Sequence, residues 1–90
     1  MMKNSEVAKD FAFGLESRAG NFFSTGDKAF SYDTIIAQRI DGVVYINNTY
    51  YSNTTSRHRG LIRRAFDSDQ KIITLEDIPI GTHDLRPYIK

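Results

Sequence analysis

Ninety residues, 40% hydrophobic and 12% aromatic with a formal net charge of +1, are enough for one domain with a packed core, and they argue against wholesale disorder. Cysteine is absent; this removes disulfides, thiolate catalysis and cysteine-ligated zinc, and it suits a reducing cytosol. No run approaches the ~20 apolar residues needed to cross a bilayer, and Met1 to Gly14 lacks the apolar stretch of a signal peptide, so a cytoplasmic protein without a membrane partner is expected.

The first predicted element is a short helix, Ser5 to Phe13, capped by Asn4 or Ser5, with Glu6 in the first turn where a negative charge suits the helix dipole. At ~100° per residue, Val7, Ala8, Phe11 and Leu15 share one side and Glu6, Lys9 and Asp10 the other. Phe13 lies off that stripe, and Gly14 and Gly20 loosen the chain beyond it. A hairpin follows, Asn21 to Ser24 and Lys28 to Tyr32 around Thr25-Gly26-Asp27.

The clearest pattern is a second hairpin. Thr34 to Ile40 and Val43 to Asn47 flank Asp41-Gly42, a pair suited to a type I′ turn. Such a turn sets Ile40 opposite Val43, Arg39 opposite Val44, Gln38 opposite Tyr45 and Ala37 opposite Ile46. Strict alternation then predicts one face of Ile35, Ala37, Val44 and Ile46 with Arg39 at its edge, and another of Ile36, Ile40, Val43 and Tyr45 with Gln38 among them. Both faces are apolar, so either the sheet is covered on both sides or one face meets a second subunit, which makes a homodimer through the 34–47 hairpin one expectation.

After a turn at Asn47-Asn48-Thr49, the hydroxyls of Thr54, Thr55 and Ser56 can cap a helix over 57–66. Lys71 to Leu75 reads as a last strand, and His83 to Lys90 as a loosely held tail onto which Tyr88-Ile89 can dock. Together these elements predict a single α+β domain over 1–90: a small antiparallel sheet of about four to six strands with two short helices, about 5–13 and 57–66.

The second helix carries the most informative chemistry. Setting Arg57 at 0° and stepping ~100° per residue, His58, Leu61, Ile62, Ala65 and Phe66 form one apolar arc. The remaining arc holds Arg59 and Arg63 on one flank of Gly60, and Arg57 and Arg64 on the other. Arginines often flank a buried stripe merely as solvated neighbours. Here no acid within the helix offsets them, and a mid-helix glycine costs ~1 kcal/mol against alanine. Arginine also suits bidentate contact with phosphate or carboxylate. Tyr50 and Tyr51 just upstream add aromatic rings of the kind found on nucleic-acid or protein-binding faces. The candidate binding residues are therefore Arg57, Arg59, Gly60, Arg63, Arg64, Tyr50 and Tyr51.

Catalytic and metal patterns are weak. Ser56 and His58, two apart on a helix, point in different directions; Glu76-Asp77 is an acidic pair suited to a solvated loop; His58 and His83 are the only histidines and have no metal-ligand spacing. His58 falls on the apolar arc and is expected as a hydrogen-bonded support. Neither a catalytic residue, a metal nor a cofactor is expected.

The block Ser31-Tyr32, Ile36-Ala37, Asn47, Tyr51-Ser52, Thr54-Thr55-Ser56-Arg57-His58 and Ile62-Arg63-Arg64-Ala65, with Asn4 to Ala8 at the start, resembles small uncharacterised proteins of bacteriophages and mobile elements. The resemblance implies a phage-borne protein acting in the cytoplasm of an infected bacterium. It implies a non-catalytic inhibitor, of the anti-CRISPR kind, that blocks a host defence or nucleic-acid-processing machine by steric occlusion, with a host protein or ribonucleoprotein as partner. It also implies that Tyr51, Ser52, Thr55, Ser56 and His58 form a unit with the helix, Ser52 and the threonines capping it while His58 bonds back to a strand. Direct DNA or RNA binding by the arginine helix is the alternative partner reading, and a structural or oligomerisation role through the hairpin is the third.

Overall fold

The computed structural model describes residues 3–89. It is an α+β fold of two helices and a six-stranded sheet whose order follows the chain, β1 to β6. The elements are α1 (Asn4–Ala12), β1 (Glu16–Ala19), β2 (Phe22–Thr25), β3 (Lys28–Ser31), β4 (Thr34–Ile40), β5 (Val43–Asn47), α2 (Asn53–Ala65) and β6 (Ile72–Leu75), with a short 3-10 turn at Arg86–Tyr88. The first five strands pair antiparallel, whereas β6 runs parallel to β5. A parallel pair needs a crossover, and α2 supplies it.

Local chemistry accounts for the centre of the sheet. Asp41 and Gly42 both take positive φ, 51° and 78°, as a type I′ turn requires. The pairing is Ile40 with Val43, Arg39 with Val44, Gln38 with Tyr45 and Ala37 with Ile46, as the turn predicts. The two faces are not those of strict alternation. Across β3, Ala29 pairs with Ala37 but Phe30 pairs with Ile35, so Ile36 is an extra residue in β4. This bulge turns Ile36 toward α1 and α2 and Ile35 to the opposite face.

Both faces are covered within one chain. On the first, Val7, Ala8 and Phe11 of α1 and Ile62 of α2 pack over Phe22, Ala29, Ile36, Ala37, Val44 and Ile46. On the second, Ile78 and Leu85 lie over Phe30 and Ile35, with Tyr45, Leu75 and Tyr88 around them. The buried Gln38 holds this cover in place: its Nε2 donates to Asp84 Oδ1 at 3.0 Å, and its Oε1 accepts the Leu85 N–H at 2.7 Å. The segment 83–89 is thus tied to the sheet rather than loose, because one polar side chain in β4 satisfies two groups of the C-terminal segment at once; Lys90 lies outside the described residues.

Other differences from the sequence reading are local. Lys3 occupies the N-cap of α1 and makes no side-chain cap bond, so neither Asn4 nor Ser5 caps it. Gly14, at φ 75°, turns the chain after α1, which leaves Leu15 off the stripe and 54% exposed; Phe13 is 79% exposed. The strand β1 carries no apolar alternation and forms by pairing with β2. Arg39 then ties α1 to the sheet: Nη2 donates to the Phe11 and Ala12 carbonyls and Nη1 to that of Gly26. Its charge thereby sits at the C-terminal end of α1, where the helix dipole favours a cation.

Candidate functional site

The helix α2 begins at Asn53, four residues before the predicted Arg57. Ser52 is its N-cap, accepting the Thr55 N–H at 3.2 Å through Oγ. Thr55 Oγ1 lies 3.0 Å from Ser31 Oγ on β3, and Ser31 Oγ shares a 2.7 Å hydrogen bond with His58 Nδ1. The His58 ring stacks on Phe22, with centroids 4.5 Å apart. Ser52 thus caps the helix while Thr55 and His58 join it to the sheet; of the other two residues grouped with them, Ser56 accepts from Arg59 and Tyr51 turns away to Ile78. Burial pushes the His58 pKa below its ordinary value, so the neutral imidazole serves as a hydrogen-bonded support on the buried side of the helix.

This anchoring decides which side of α2 meets solvent. Thr55, His58 and Ile62 are buried, while Arg57, Arg63 and Arg64 are exposed and Arg59 and Gly60 are half-buried. Ion pairs among the described residues are Arg39 with Asp27 and Arg86 with Asp84. Thus, among those residues, none of the four α2 arginines has a carboxylate within 4.0 Å.

The two flanks of Gly60 differ in a way that periodicity could not reveal. Arg59 is engaged within the fold: Nη1 donates to the Thr49 carbonyl at 3.0 Å and Nη2 to Ser56 Oγ at 3.3 Å. Its pKa is lowered, first by burial and then by the charge of Arg63. Arg63 reaches Asn48 Oδ1 at 3.5 Å. Arg57 and Arg64 make no side-chain hydrogen bond to another described residue. They border a groove of about 510 Å³ between the start of α1 and α2, lined by Asn4, Ser56, Arg57, Gly60, Leu61 and Arg64. A Cβ at Gly60 would meet nothing within 4 Å, so packing does not require glycine there. Its absence leaves the helix backbone open at the floor of the groove. Asn4, Ser56 and Leu61 are lining residues outside the predicted binding set; Ser56 and Leu61 lie on α2 itself, and only the packing of α1 on α2 brings Asn4 there.

The two tyrosines separate. Tyr50 is 67% exposed beside the start of α2, its hydroxyl donating to Asn53 Oδ1. Tyr51 points inward: its hydroxyl donates to the Ile78 carbonyl and accepts from Asn47 Nδ2 at 2.9 Å. The structure therefore places Tyr50 near the arginine face and assigns Tyr51 to the C-terminal cover.

Among the described residues no group of three or more His, Asp or Glu side chains could hold a metal ion, and no helix is long and apolar enough to cross a membrane. No curated protein and no solved structure matches the chain. A family model does match, over residues 1–78, a span that takes in both helices, all six strands and the whole arginine face. The chain belongs to that family, described as a family of unknown function, DUF8033.

Proposed function

We propose that this is a non-catalytic binding protein that docks the exposed side of α2 on an anionic surface of a macromolecular partner and blocks it by occlusion. The observation that carries this reading is the set Arg57, Arg59, Arg63 and Arg64, which has no carboxylate within 4.0 Å among the described residues. Four uncompensated cations on a single helix face repel one another and favour an anionic partner. Arg57 and Arg64 make first contact, because their guanidiniums donate to no other side chain or backbone among the described residues; Arg59 and Arg63 supply field from positions already braced by the chain. In the setting that the phage resemblance suggests, the partner is a host defence or nucleic-acid-processing machine in the bacterial cytoplasm, inhibited in the manner of an anti-CRISPR protein.

The test is a plaque assay on bacteria with an active nucleic-acid-targeting defence. Expression of the protein should restore plaques, and the Arg57→Glu/Arg64→Glu variant should fail to do so while keeping its melting temperature. Restoration by the double variant would refute the arginine face, and no relief of any defence tested would refute inhibition.

Exposed Tyr50 beside the same helix favours a second reading, direct binding of DNA or RNA with the ring stacking on a base. Fluorescence anisotropy with labelled single- and double-stranded oligonucleotides separates the two. Direct binding must weaken steeply with salt, by a slope set by the phosphates neutralised; no binding at low salt eliminates it.

A further inference from the structure

The sheet has two edges, β1 and β6, and they are built differently. The β1 strand carries Glu16 and Arg18, and the Arg18 guanidinium lies over the Phe23 ring at 4.1 Å. Charges on an edge strand discourage pairing with another chain. The β6 strand reads Ile72-Ile73-Thr74-Leu75, with no charge, proline or glycine. The exposed Lys71 precedes it and the exposed Glu76 and Asp77 follow it.

The backbone of β6 is half-used. The Lys71 carbonyl accepts from Val44 N–H and the Leu75 carbonyl from Asn48 N–H, so residues 71, 73 and 75 face β5. Ile72 and Thr74 therefore direct their N–H and C=O groups away from the sheet, and among the described residues they have no backbone partner on that side. Beside them a cleft of about 430 Å³ is lined by Tyr45, Ile73, Thr74, Leu75, Tyr88 and Ile89, together with Glu76.

We infer that β6 pairs antiparallel with β6 of a second copy of this chain, joining two six-stranded sheets into one continuous sheet. Charge complementarity commits the edge to a second copy. Antiparallel self-pairing sets the basic start of each strand, Lys71, beside the acidic end of the other, Glu76-Asp77. With the two-fold axis at Thr74, the two Thr74 residues exchange N–H···O=C bonds, as a hydrogen-bonded antiparallel pair does. The same register places Ile73 opposite Leu75 of the partner copy, twice by symmetry, next to the apolar cleft.

A two-fold axis normal to the sheet keeps both helix layers on one side. The dimer would therefore present the α2 arginines of both copies on a common face, which doubles the local charge of a chain whose own net charge is only +1. This last point rests on the proposed function; the pairing itself does not.

The experiment is light scattering across a concentration series on the full chain, with hydrogen exchange on the same samples. The wild type should reach twice the chain mass, and the Thr74 amide should become protected as concentration rises. Thr74→Lys changes an exposed side chain and places two like charges across the axis; it should give a monomer with an unchanged circular dichroism spectrum. Lys71→Glu should weaken the dimer by facing Asp77 of the partner copy, and adding Asp77→Asn, which suits the positive φ at that position, should restore it in part. A wild type that stays monomeric at every concentration overturns the inference, including one whose Thr74 amide is protected only by an added extended peptide. So does a dimer that survives Thr74→Lys. None of these readouts depends on the arginines.

Discussion

Replacing Gly60 by alanine should stabilise the fold while weakening its docking. The residue lies in the middle of α2, and beyond its chain neighbours and the backbone of its own helix a Cβ added there meets no heavy atom within 4 Å. Overpacking therefore contributes nothing, and little new apolar surface is buried. What remains is the backbone term: glycine in a helix interior is less favourable than alanine by ~0.8–1 kcal/mol, because it loses more freedom on folding. For a domain of this size, ~1 kcal/mol raises the melting temperature by about 4–8 °C. Urea melts should show a higher midpoint at unchanged slope, since the surface exposed on unfolding barely changes. The same methyl group fills the floor of the groove between Arg57 and Arg64, so the variant should also restore plaques less well than the wild type. A lower melting temperature would refute the open-space argument. A stabilised variant with undiminished activity would refute the claim that the groove floor touches the partner.

Leu85→Ala should destabilise by about 2–5 kcal/mol in urea melts, because it empties a buried site over Ile35 and Phe30; a change within ~0.5 kcal/mol, typical of a surface position, would mean that the C-terminal segment is not docked. Ser52→Ala removes the cap of α2 and should cost ~1 kcal/mol, read from the same melts; no loss would place the start of the helix elsewhere. Burial lowers the His58 pKa, so the unfolded chain takes up the proton first. The stability from neutral His58 is present above its ordinary value of about 6.5 and is lost as pH falls from there toward the lowered value. His58→Phe should flatten that part of the stability–pH curve, with His83 common to both proteins; an unchanged slope would contradict burial of the imidazole.

Much of this molecule is legible in short stretches of chain. Asp41-Gly42 and the β-branched runs beside it determine a hairpin and its register, because a type I′ turn leaves no choice of opposite residues. The spacing in α2 determines which residues face in and which face out, because helical periodicity is local. That is enough to put His58 inside and the arginines outside.

Tertiary structure decided the rest, for reasons that involve residues far apart. The bulge that sends Ile35 and Ile36 to opposite faces depends on how β4 meets β3. Glu16–Ala19 becomes a strand because β2 offers it an edge, and Ile72–Leu75 runs parallel because α2 carries the chain across the sheet. The C-terminal segment is held by Gln38, 46 residues from Asp84. The same holds within the candidate site. Arg59 and Arg57 look equivalent on a helical projection, but Thr49 lies beside one and an open groove beside the other. The sequence by itself determined that α2 has a basic face, because periodicity places those side chains together; only packing against neighbouring elements decided which of the four arginines stay free to meet a partner.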